Sequence, residues 1–159
     1  MERNGEIIHE VKLIHQETVS FFQNLFTESV SDNVLADLSF IHKSVSQSQA
    51  GELTRHITPE EIKGSIFRMK ADKSPGPDGF NAGFFQKLWH IVGNDVIYAV
   101  TSFFESGKLL KEFNHTSLTL VPKVQNPTRM TDFRPISCCN LIYKCMSGIL
   151  ANRLKVLKN

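Results

Sequence analysis

Between Lys73 and Phe80 the chain reads KSPGPDGF, and two prolines and two glycines within five residues forbid any regular element there. A rigid turn is predicted. Ahead of it, Thr58 can cap a helix, Pro59 suits the first helical position, and Glu61 completes an S/T-x-x-E capping box before Ile62, Ile66 and Met69. A helix is predicted from Pro59 to about Lys70. Beyond the turn, Phe84, Phe85, Leu88, Trp89 and Val92 recur at helical spacing, and Val96, Ala99, Val100 and Phe103 do so again before Gly107. These predict two packed helices. Asp78 before Gly79 is ordinary turn chemistry rather than a catalytic carboxylate. Trp89 reads as core, since a base-stacking platform needs aromatics among cations and this stretch is nearly cation-free.

Elsewhere the pattern is simpler. Ile7, Val11, Ile14, Thr18, Phe21, Phe22 and Phe26 predict an amphipathic helix over residues 7 to 26, and the polar stretch 27 to 56 an irregular connector with short helical turns. TSLTLVPK, from Thr116 to Lys123, favours a strand ended by Pro122. After the loop Val124 to Thr131, DFRPIS from Asp132 to Ser137 predicts a second strand, confined by Pro135 to an edge or a short run. A last helix over Leu141 to Leu157 carries the stripe Ile142, Cys145, Met146, Ile149, Leu150, Leu154 and Leu157. The chain is expected to be α+β, mainly helical, with one short antiparallel β-hairpin.

Charge divides the chain near Gly107. Residues 1 to 107 hold nine Lys/Arg against fourteen Asp/Glu, a balance of −5, while residues 108 to 159 hold nine against only Glu112 and Asp132, a balance of +7. Two readings of the basic third stand: a polyanionic partner, gained through counterion release, or a solvated face. Cys138, Cys139 and Cys145 crowd one apolar stretch without a second cluster, which argues against zinc or a disulfide framework. The six histidines are scattered, none paired at i, i+4. The start is mixed charged and polar, and the most apolar stretch, Ile91 to Phe104, is interrupted and short of the ~20 residues a bilayer requires. A soluble intracellular chain with no membrane contact is expected, nucleus or cytoplasm left open.

The ordered set KSPGPDGF, the helix with Trp89, LTLVPK, DFRPIS and YKCMSGILANRLK resembles the reverse transcriptases of plant LINE-type (non-LTR) retrotransposons. Each motif alone is weak; their order across Thr58 to Lys158 is specific. The resemblance implies the fingers region of a right-hand polymerase that copies RNA into DNA, partnered by a template–primer and an incoming dNTP. It divides the chain into an upstream helical segment and connector, 1–57, and an incomplete reverse transcriptase domain, 58–159. By position it makes Lys123 and Arg134 the cationic contacts to the triphosphate, in keeping with phosphoryl transfer through positioning and neutralised oxygens. Lys73, Lys144, Arg153 and Lys155 become candidate contacts to nucleic acid.

The same resemblance implies that the palm aspartates, which hold Mg²⁺ in the complete enzyme, lie beyond Asn159. Two-metal catalysis needs carboxylates holding ions ~4 Å apart, and Asp72, Asp78 and Asp132 offer no substitute. The chain is expected to need no cofactor of its own and to be inactive alone, as a fragment of a polymerase. The alternative is a module that binds RNA or DNA weakly and nonspecifically through 108–159.

Local readings compete with these roles. Lys123 is either a phosphate contact or a solvated lysine after Pro122, and Arg134 either a phosphate contact or a partner of Asp132. Arg153 falls on the apolar stripe, where it either snorkels or awaits a partner in the palm, the second being favoured. The stripe itself is expected to be left exposed and the chain to be marginally stable. Lys123 and Arg134 are expected on one face of a hairpin, with Cα atoms within ~12 Å.

Overall fold

The computed structural model describes residues 2–3, 6–27 and 45–155. Two compact units are present, one comprising Met1–Ile41 with Thr119–Ile136 and the other His42–Leu118 with Ser137–Asn159. The larger unit holds α2 (Gln47–Thr54), α3 (Pro59–Phe67), α4 (Ala82–Lys87), α5 (Trp89–Ser106) and α6 (Leu141–Lys155). The smaller holds a pair of two-residue strands, β1 (Glu2–Arg3) and β2 (Glu6–Ile7), followed by α1 (Val11–Thr27). The strands β3 (Thr116–Pro122) and β4 (Phe133–Cys139) pair with each other. Their roots lie in the larger unit and their tips in the smaller.

Helices α3 and α6 form the centre of the larger unit, with α4 and α5 packed on α3 and α2 packed on α6. Leu141, Ile142, Cys145, Met146, Ile149 and Arg153 of α6 are buried, at steps of one, three or four residues that make one helical face. Opposite them Ile62 and Ile66 of α3 and Val100 of α5 are fully enclosed. Ser65 donates to the Cys145 carbonyl at 3.5 Å, and burial pushes the Cys145 thiol up to about 11, so it remains a protonated, inert small hydrophobe. The expectation of an exposed α6 stripe is thereby corrected, because α3 and α5 cover its centre. Only Leu150 and Leu154 stay open, and Leu157 lies outside the described residues.

Several boundaries move for identifiable reasons. Helix α1 begins at Val11 rather than residue 7, because Glu6 and Ile7 pair with Arg3 and Glu2. Helix α3 ends at Phe67, where the Gln86 side-chain amide donates to the carbonyls of Ile66 and Met69 at 3.0 and 2.9 Å and satisfies acceptors that a longer helix would have used. The predicted first helix beyond the turn is split at Leu88, whose backbone (φ −101, ψ 18) closes α4 and opens α5. Trp89 therefore starts a helix, and it packs on the core edge-to-face with Phe67. Helix α2 falls in the connector, where only short helical turns are expected; a capping box between Ser46 and Gln49 supports it, and it lies in the larger unit. Connector residues 28–44 lie outside the described residues.

The capping box foreseen at Thr58 is half formed. Thr58 accepts from the Glu61 amide at 3.2 Å, but the Glu61 carboxylate turns away to Arg153. Arg153 is 8% exposed, and each of its donors has an acceptor. Nε and Nη2 donate to the two Glu61 oxygens at 3.1 and 2.9 Å, Nη1 to the carbonyls of Leu53 and Arg55, and Nη2 also to that of His56. Its charge also lies over the Phe104 ring, 5.6 Å from the centroid. The residue neither snorkels nor awaits an external partner. It is the clasp between α6 and the α2–α3 connection.

The Arg153 guanidinium, with Arg55 at 2.9 Å from the same carboxylate, holds the Glu61 carboxyl below its ordinary value. Arg153→Ala is expected to lose about 3–5 kcal/mol in chemical denaturation, since it removes one partner of a buried ion pair. A depressed carboxyl contributes stability that is fully present above its unfolded value of about 4.3 and is lost as pH falls through the lower folded value. Glu61→Gln should therefore be less stable than the parent at neutral pH and show a shallower decline on acidification, measured as unfolding free energy against pH.

A candidate triphosphate and nucleic-acid interface

β3 is rich in Thr, Val and Leu, which suit an extended backbone, and Pro122 ends it. At the tip the Lys123 amide donates to the Asp132 carbonyl at 2.7 Å, and at the root the Thr116 hydroxyl donates to the Cys139 sulfur at 3.4 Å. Both contacts belong to one antiparallel register, in which Val121 lies across from Arg134 and Leu120 across from Pro135. Alternation then places Lys123, Val121 and Thr119 on one face together with Arg134 and Ile136. Lys123 and Arg134 are diagonal neighbours on that face, and both are exposed.

The loop joining the strands is organised by Asp132. Its Oδ2 accepts from the amides of Thr128 and Arg129 at 3.0 and 2.9 Å, within a 3-10 turn over Met130–Asp132. Those two amides hold the Asp132 carboxyl below its ordinary value, with the nearby charges of Arg129 and Lys123 adding to the effect. This carboxylate is thus engaged by its own loop, and among the described residues no ion pair joins it to Arg134. Lys123 Nζ donates to the Thr131 carbonyl at 2.6 Å. An ammonium has three N–H groups, so this bond leaves two for an anion above the face.

The other candidate cations are placed differently. Lys144 Nζ donates to the Ser74 carbonyl at 3.2 Å, which brings α6 to the residue after Lys73. Lys73 is exposed, and Lys155 is exposed with its ammonium 3.4 Å from Asn152 Oδ1. Arg153 is buried and fully engaged, which removes it as a nucleic-acid contact. Asn140, unmarked by any motif in the sequence, is 4% exposed and hydrogen-bonded to both Asp78 and Glu112. A polar residue between the apolar runs CC and LIY was the available signal.

No family model matches the chain. It is similar to the "Transposon TX1 uncharacterized 149 kDa protein" of Xenopus laevis, at 29% identity over 153 residues. That similarity covers 96% of this chain and 12% of the Xenopus protein. Nearly all of the chain therefore matches one short part of a transposon protein.

Because the Asp132 carboxylate is bound by two amides, its contribution to the loop should be present above an ordinary Asp value of about 3.9 and vanish as pH drops through its lower folded value. Asp132→Ala is expected to speed hydrogen exchange at the Thr128 and Arg129 amides at neutral pH while leaving α3 and α6 unchanged, as read by NMR.

Proposed function

We propose that this chain is the fingers-side part of an RNA-directed DNA polymerase of a non-LTR retrotransposon, in which Lys123 and Arg134 hold the triphosphate of an incoming nucleotide. The observation that carries this reading is the placement of two exposed cations on one face of one hairpin, at the motif positions where the family resemblance puts triphosphate contacts. Similarity over nearly the full chain to a transposon protein supports it. Diagonal neighbours on one face lie roughly 7–8 Å apart, within reach of two long side chains, so Lys123 and Arg134 can grip one phosphate group between them. Two donors remain on Lys123, and the planar fork of Arg134 can take two phosphate oxygens at once.

Polymerisation in this reading needs carboxylates that these residues do not supply. Asp78 Oδ1 accepts from the Phe80 amide at 3.0 Å and Asp132 closes the hairpin loop. Among the described residues no group of three or more His, Cys, Asp or Glu is gathered to hold a metal. The described residues do not gather a carboxylate set that fits a Mg²⁺ pair. The alternative, a nonspecific nucleic-acid module in 108–159, loses Arg153 to its internal pair with Glu61.

The test is binding of a deoxynucleoside triphosphate, and separately of an RNA–DNA primer–template, to the purified chain at several salt concentrations. The double variant Lys123→Ala, Arg134→Ala is expected to weaken triphosphate binding by about tenfold or more, since hydrogen bonds to charged groups contribute about 1.5–3 kcal/mol each. Unchanged triphosphate affinity in the variant refutes the site. Salt-sensitive binding of nucleic acid with none of triphosphate favours the nonspecific module instead. Primer extension above a heat-killed control refutes the assignment of catalysis to residues outside this chain.

A further inference from the structure

Asn140 stands between β4 and α6, and its carbonyl accepts from the Lys144 amide at 3.1 Å in the first turn of that helix. Its side chain reaches two segments remote in sequence. Oδ1 accepts from the Asp78 amide at 3.2 Å, inside the Pro75–Gly79 turn, and Nδ2 donates to the Glu112 carbonyl at 2.9 Å, four residues before β3. The turn is pressed close here, since a methyl group on Gly76 would lie 2.6 Å from the Asn140 Cα. Lys144 fastens the same turn from outside through the Ser74 carbonyl. The approach to β3, the exit from β4 and the turn therefore meet at one carboxamide.

We infer that Asn140 is a positioning residue, tying the Pro75–Gly79 turn to the root of the β3–β4 hairpin and so setting how firmly the strands bearing Lys123 and Arg134 are held. The consequence for nucleotide rests on the triphosphate reading of the hairpin; the tie itself does not. A two-stranded hairpin is at best marginally stable alone. Most of β3 is exposed, so its own packing adds little. Anchorage at the root decides whether the pair stays closed. A carboxamide is suited to the role because it offers an acceptor and a donor from one short side chain. Asp has no N–H for Glu112, and Ala offers neither group.

The experiment is amide hydrogen exchange on the full chain, with Asn140→Asp, Asn140→Ala and Gly76→Ala. Asn140→Asp keeps an acceptor for Asp78 but sets an oxygen against the Glu112 carbonyl. Phe113 and Asn114, whose amides donate to the Leu110 carbonyl, and Lys123 at the hairpin tip are then expected to exchange about tenfold faster or more. Asp78 should keep its protection, as should the amides of α3 and α5. Gly76→Ala, which pushes the turn off the Asn140 backbone, is expected to deprotect Asp78, Gly79 and, through Asn140, Lys123. Asn140→Ala should combine both patterns, and the other two variants carry the test if it fails to fold. Uniformly faster exchange through α3, α5 and α6, or unchanged Lys123 protection in both Asn140→Asp and Gly76→Ala, overturns the inference. Triphosphate affinity should fall in the order in which Lys123 loses protection. If the parent chain binds no triphosphate, the hairpin reading fails while the exchange pattern still decides the tie.

Discussion

A guanidinium buried in a protein needs an acceptor for each of its five N–H groups, and Arg153 finds all of them within one unit. Two come from Glu61 and three are carbonyls of Leu53, Arg55 and His56. These carbonyls stand at the end of α2 and in the segment leading to α3, where helix geometry leaves acceptors unfilled. One side chain thus completes the end of α2, the start of α3 and the last turn of α6. Buried pairs of this kind contribute less net stability than their geometry suggests, because both ions lose water. Their effect is selective: an arrangement that misplaces α6 along α3 would leave a bare charge inside.

Local sequence revealed most of the elements and little of what joins them. The Thr58–Pro59 helix start, the Pro75–Gly79 turn, β3 and α6 were legible because caps, prolines and periodicity act over a few residues. The split at Leu88 was not, since Phe84 to Val92 keep helical spacing across a break that only the backbone shows. Glu61 looked like a capping residue because its true partner lies 92 positions away. The burial of Arg153 is illegible for the same reason. At the hairpin, the pairing of the two β-like runs was legible, whereas the hold of Lys123 on Thr131 and of Asp132 on its loop amides depended on the course of the loop. Asn140 escaped notice because an isolated asparagine has no periodicity.

The two sets of candidate cations also differ in kind. Lys123 and Arg134 are carried on a β-hairpin with exposed faces, while Lys144 is drawn onto the turn that follows Lys73. A +7 balance over the last third therefore overstates what a polyanion meets, since Arg153 is neutralised internally by Glu61. Charge composition locates a tendency; burial decides which charges express it.

The prolines of the hairpin have an effect beyond ending β3, for β4 runs through Pro135 at full length. In the register set by the Lys123–Asp132 bond, Pro122 and Pro135 both fall at positions whose amide nitrogen points away from the partner strand. The pair loses no internal ladder bond by having them. What is lost is one outward donor on each rim, where a stray strand from another chain would otherwise dock. An exposed ribbon carrying Leu118, Val121 and Ile136 at its surface is a template for unwanted strand addition. One ring of fixed geometry on each rim removes that donor without adding charge to the face that holds Lys123 and Arg134.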